Sequence, residues 1–160
     1  MRTLLLLFLA GAAVAQAPSV FKPYASLADI MAGIALPKSN AVFDVTKRAP
    51  KDAMEWIAVQ TDAAVLAEIG NLILTPGRLK ENGQPVPRTA DFKRHVQALV
   101  EAAKGAHKAA LMKDADAVFV ACEPLYQACY SCHEAYRFCP TCQESQQHLV
   151  PQRHLDPPHR

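Results

Sequence analysis

The chain has 160 residues, 17 Lys and Arg against 15 Asp and Glu for a net charge of +2, 51% apolar and 20% charged residues, and five Cys. That length supports one domain with its own core, and the apolar fraction excludes an intrinsically disordered chain. A near-neutral balance without a long basic run gives no electrostatic footprint for nucleic acid, and an odd cysteine count cannot be closed by disulfides alone.

In chain order, Arg2 precedes an apolar run over residues 4–15 and then small residues. This predicts a signal peptide over residues 1–15, cut after Ala13-Val14-Ala15. The run is shorter than the roughly 20 residues that a membrane-spanning helix requires. The expectation is therefore an exported, periplasmic protein with no membrane span in its mature form, working in an oxidising compartment.

Apolar spacing beyond the signal is helical throughout. Ser26 caps a first helix with Leu27, Ile30, Met31 and Ile34 on one face; Pro37 bends or interrupts it before Ala41, Val42 and Val45 resume. Pro50 is expected to open a second helix carrying Trp56, Val59, Ala63, Leu66, Gly70 and Ile73, stopped by Thr75-Pro76-Gly77. Residues 78–88, with Gly83, Pro85 and Pro87, read as a loop. Thr89 caps a third helix with the stripe Phe92, Val96, Leu99, Ala103, Ala106 and Ala110. Asp114 starts a fourth, which aligns Val118, Cys122, Leu125, Cys129, Cys132, His133 and Tyr136, with Pro124 as a kink and Pro140 as its stop. The predicted fold is all-α, an up-down-up-down antiparallel four-helix bundle over residues 25–138, followed by a polar tail over 139–160 that contains Cys, Pro and His.

Chemistry concentrates in Cys129-Tyr130-Ser131-Cys132-His133, a C-x-x-C-H sequence with the pattern of c-type haem attachment. On a helix, Cys132 and His133 lie three and four residues beyond Cys129, so all three share one face. Two thiols then bond the vinyl-derived carbons of one porphyrin while the imidazole reaches its iron. Two rivals use the same residues. Cys129 and Cys132 with Cys139 and Cys142 could form a four-thiolate zinc site in an exported interaction module, but six residues between the pairs is short for such a site. A redox-active dithiol belongs at a helix N-terminus, where the dipole lowers the thiol pKa, whereas this pair sits near a C-terminus.

Residues 129–137, Cys-Tyr-Ser-Cys-His-Glu-Ala-Tyr-Arg, close the last helix of an exported all-α chain, and this segment resembles the haem segment of the class II c-type cytochromes, the cytochrome c′ family. The weaker segments 27–45 and 54–78, with Trp56 and Leu72-Ile73-Leu74-Thr75-Pro76-Gly77-Arg78, are similar to exported members of that group. The resemblance implies one covalent haem c held through Cys129 and Cys132, His133 as proximal ligand, redox partner proteins rather than an enzymatic substrate, and it allows a homodimer. After Arg137 the chain departs from the family's short basic end, with a Cys-Pro-Thr-Cys pair and a His-containing tail instead.

Bundle topology sets what lies across the iron. The end of the fourth helix is level with the start of the first, the end of the second and the start of the third. Met54 and Met112 lie about 20 residues from that level, roughly 30 Å away, and are excluded by reach. Met31 remains, on the helix that covers the sixth position in the family, either as ligand or as a core gap-filler. With Met31 bound, the iron is six-coordinate and the protein is an electron carrier. With Met31 only packed, an open apolar face could bind nitric oxide or carbon monoxide. Electron transfer is the prediction. His95, at the edge of its stripe, reads as a surface or satisfied core histidine.

Arg137 either pairs with a haem propionate or is exposed in the last turn. Arg78, Lys80 and Arg88 either steer an acidic redox partner or are solvated. Cys122 reads as a small buried apolar residue, Cys139 and Cys142 as a local disulfide, and the spacing of His148, His154 and His159 defines no metal site. The odd cysteine count then resolves into two thioethers, one disulfide and one reduced thiol.

Overall fold

The computed structural model describes residues 22–137. The expected signal peptide and the tail from residue 139, with Cys139, Cys142 and the three tail histidines, lie outside the described residues.

Ser26 begins the first helix through a capping box. Its hydroxyl accepts the Asp29 amide at 3.1 Å, and its own amide donates to the Asp29 carboxylate at 2.8 Å. Hydrogen bonds from the Ser26 side chain and backbone hold the Asp29 carboxyl below its ordinary value. Residues 27–46 then form α1, built from an α segment Leu27–Ile30, a π turn Met31–Ala35, an α segment Leu36–Phe43 and a 3-10 turn Asp44–Thr46. Pro37 does not interrupt this helix. A proline ring collides with the carbonyl four residues back. Just ahead of Pro37 the chain widens instead, and the Leu36 amide donates to the Met31 carbonyl five residues back.

Helix α2 spans Ala53–Leu74 and starts after Asp52 rather than at Pro50. The Asp52 carboxylate accepts the Glu55 amide at 2.9 Å, an acceptor that Pro50 lacks. Glu55 in turn accepts from the Lys51 amide and from the Arg48 guanidinium, both at 2.8 Å. Helix α3 spans Ala90–Leu111 with Thr89 accepting the Phe92 amide, and α4 spans Ala115–Tyr136 with Asp114 accepting the Ala117 amide. Pro124 lies inside α4 without ending it.

The helices pack in sequence, α1 on α2, α2 on α3, α3 on α4, and α4 back on α1, giving the expected four-helix bundle. Among the described residues there is no strand; the loop between α2 and α3 holds one isolated bridge, Leu79 to Pro85. Leu66, Ile69, Leu125, Val42 and Val118 are the largest fully buried side chains, and each Leu or Ile buried there contributes about 1.5–3 kcal/mol. Helix α2 is long and apolar enough in composition to cross a membrane, and its buried residues, Trp56 to Ile73, form part of the shared core.

Four side chains fix which ends meet. Arg78 donates to the Leu72 carbonyl at 3.0 Å and the Ala25 carbonyl at 2.6 Å, joining the end of α2 to the start of α1. Arg88 donates to the Leu74 carbonyl at 3.0 Å, bringing the start of α3 to the same level. Tyr136 donates to the Asp91 carboxylate at 2.7 Å, and Ser131 lies 3.5 Å from His95, joining the end of α4 to the start of α3.

Helices α2 and α3 approach closely at Gly70. A Cβ there would lie 2.2 Å from Val100 Cγ2 and 3.4 Å from Val96 Cγ1. Alanine improves helix propensity by about 1 kcal/mol, but overpacking costs about 1–3 kcal/mol. Gly70→Ala is therefore expected to lower stability by about 1 kcal/mol, seen as a lower denaturant midpoint with an unchanged slope.

Candidate haem-attachment site

The core stripe of α4 runs through Val118, Cys122, Leu125 and Ala128, all buried. One turn further it reaches Cys129, Cys132, His133 and Tyr136, which are only half-buried. The reason lies in how α1 crosses. Its substantial contacts with α4 come from Leu36–Phe43 and Asp44–Thr46, while its first half packs on α2. The last turns of α4 lean on the start of α3, where Tyr136 meets Asp91, Phe92 and His95, and their core-facing side is only partly covered.

Three donors occupy that side. Burial pushes the Cys129 thiol up, and burial with the nearby negative charges of Cys129 and Asp91 pushes the Cys132 thiol up to about 11. Both thiols are free and protonated at neutral pH in the unmodified chain. A redox-active dithiol needs the opposite shift, so this pair lacks the electrostatics of one. Burial and then the positive charge of Arg137 push the His133 imidazole down, which favours the neutral ring a metal requires. Two thiols three residues apart, with a neutral imidazole one residue on, fit a covalently attached porphyrin.

Met31 opens the π turn of α1, is half-buried and packs against the core. The start of α1 and the end of α4 stand at the same end of the bundle, so Met31 and His133 share that end. Arg137 is exposed at the C-cap of α4, and its amide donates to the His133 carbonyl at 2.8 Å. Cys122 is buried with its sulfur 4.0 Å from the Val42 carbonyl, as expected of an apolar packing residue.

His95 is a partnered histidine between α3 and α4. It lies near Ser131, stands 3.7 Å from the Asp91 carboxylate and meets the Tyr136 ring edge-on with centroids 5.7 Å apart. Arg78 takes neither role read for its loop, being neither a steering charge nor solvated. Only 7% exposed, it is spent on two backbone carbonyls and presents no charge for a partner. Sequence reasoning also missed Asp91 as the acceptor that fastens the end of α4. Its position two residues beyond the Thr89 cap, in the first turn at the haem-motif end, was the available signal. Among the described residues no group of three or more His, Cys, Asp or Glu side chains is arranged to hold a metal ion. The second cysteine pair that a zinc site would need lies outside them.

Residues 87–137 match the family model described as Cytochrome C′. No curated protein and no solved structure matches the chain.

Proposed function

We propose that the chain is a class II c-type cytochrome of the cytochrome c′ family, an exported single-haem electron carrier with His133 and Met31 as iron ligands, a reading supported by the match over residues 87–137, which spans α3, α4 and the whole C-x-x-C-H segment. The observation that carries the haem reading is the sharing of one half-buried face by Cys129, Cys132 and His133 where the core stripe of α4 loses its cover. When bound, the haem supplies a one-electron couple whose potential follows its axial ligands. The chain supplies the rest. Cys129 and Cys132 would each hold the group through a thioether, His133 would give it a neutral imidazole from the same turn, and the adjoining apolar stripe would limit water there. Arg137 would neutralise a haem propionate. A cleaved signal over residues 1–15 delivers the chain to the periplasm, where its partners are redox proteins; the family resemblance also allows a homodimer.

A pyridine haemochrome assay on protein made with the c-type maturation machinery is expected to show one covalent haem; its absence rejects this reading in favour of a zinc-stabilised module. Met31 decides between carrier and gas binder. The Met31→Ala protein is expected to lose the weak Met-to-iron band in the near infrared and to gain a high-spin signal in spin resonance. Unchanged spectra would remove Met31 from the site and leave a five-coordinate iron open to nitric oxide or carbon monoxide. The packing of Met31 against the core is the observation that favours that second reading.

A further inference from the structure

Helix α4 has a second face that the haem does not use. Asp116, Phe119, Glu123, Tyr126, Tyr130 and Glu134 follow one another at three- and four-residue spacing and share its solvent side. Phe119, Tyr126 and Tyr130 are 60%, 53% and 48% exposed, and the two tyrosine rings stack with centroids 6.1 Å apart and planes 17° from parallel. Large aromatic rings left exposed in a row are unusual on a solvated helix, where single exposed apolar residues are the norm. Beside Phe119 and Tyr126 a cavity of about 420 Å³ opens, walled by Phe43 and Val120 with Cys122 at its side.

Charge on this helix is one-sided. From Ala115 to Tyr136 it carries Asp116, Glu123 and Glu134 and no Lys or Arg, within a chain whose net charge is +2. The face also reaches the level of the haem motif, because Tyr130, on its solvent side, lies between Cys129 and Cys132 in sequence. From Asp116 to Glu134 it runs about 27 Å at 1.5 Å per residue, the width of a standard protein interface. The loop of Arg78, Lys80 and Arg88 is a weaker candidate, since Arg78 is buried and Arg88 is held by the Leu74 carbonyl.

We propose that the outer face of α4 is the surface through which electrons are exchanged, and that it takes a redox protein whose contact surface sets Lys or Arg around an apolar centre. This rests on the electron-carrier reading. The acidic residues steer and orient such a partner, and the cavity beside Phe119 receives its apolar anchor. With haem held by Cys129, Cys132 and His133, the exchange would be a single electron given to the partner's oxidised one-electron centre, with no bond made or broken and no proton moved.

Stopped-flow oxidation of the reduced holoprotein tests this with two probes, tris(phenanthroline)cobalt(III), a trication with apolar edges, and ferricyanide, a trianion. The cobalt probe is expected to slow as salt rises. It is expected to slow about tenfold at low salt in the Glu123→Gln/Glu134→Gln variant, while ferricyanide does not slow. An unchanged cobalt rate overturns the proposal. Equal slowing of both probes overturns it too, because that marks a changed potential rather than a docking site. A Lys80→Gln/Arg88→Gln variant is expected to leave the cobalt rate unchanged; if it governs both rates, exchange runs through the loop. Haemochrome content is read first, so loss of the haem reading shows separately, as missing haem rather than as an altered ratio of rates.

Discussion

Arg78→Ala is expected to destabilise the protein by about 3 kcal/mol and lower its thermal midpoint by roughly 10 °C. Its guanidinium is buried and donates to two carbonyls from separate parts of the chain, Leu72 near the end of α2 and Ala25 just before α1. Hydrogen bonds from a charged donor contribute about 1.5–3 kcal/mol each, and buried acceptors left without them lose that and their hydration as well. The Leu72 carbonyl keeps the Thr75 amide at 3.3 Å, so the heavier loss falls on Ala25. Arg78→Lys should recover less than half, since an ammonium on a flexible stem lacks the planar fork that spans both acceptors. Arg88→Ala, which removes a single bond from an exposed side chain, should cost under about 1 kcal/mol. Thermal melts of the three variants check the ordering. A fall in Arg78→Ala no larger than in Arg88→Ala would show that Arg78 is not the tie between α1 and α2.

That tie explains what was and was not legible in the sequence. Features governed by neighbours along the chain were readable. Ser26, Thr89 and Asp114 cap through bonds three residues long, the stripes on α2, α3 and α4 follow the helical period, and the C-x-x-C-H spacing declares one face of a helix by itself. What escaped depends on distant partners or on a winding that no single residue announces. Arg78 looks like a solvated loop residue until a carbonyl 53 positions away comes beside it. Pro37 reads as a break only while an α-helix is assumed, and a π turn one step earlier removes the collision. Met31 is the remaining case. Its place at the right end of the bundle was legible from topology, but a flexible thioether on a half-buried helix serves as ligand or packing with the same sequence.

Tyr136 carries the second large effect, because it fastens the turn that bears Cys132 and His133. Its ring meets Phe92 edge-on at 5.0 Å and 89°, and His95 at 5.7 Å and 82°. Two such contacts contribute about 2 kcal/mol together, so Tyr136→Ala should lose at least that much and fray the end of α4, seen as faster amide exchange from Cys132 onward. Tyr136→Phe keeps both ring contacts and removes the hydroxyl's bond to Asp91 along with its weaker one to Thr89, so its loss is smaller and depends on pH. The Tyr136 hydroxyl, with Arg94 second, holds the Asp91 carboxyl below 3.8; that contribution is complete above 3.8 and fades as pH falls through the lower folded value. The Asp91 carboxylate holds the Tyr136 phenol above 10.0; that contribution is complete below 10.0 and fades as pH rises through the higher folded value. The difference in thermal midpoint between wild type and Tyr136→Phe should therefore be flat across neutral pH and shrink toward both extremes. A difference that is flat at every pH would mean that the hydroxyl and Asp91 do not act as a pair, and that the rings alone hold the haem-bearing turn against α3.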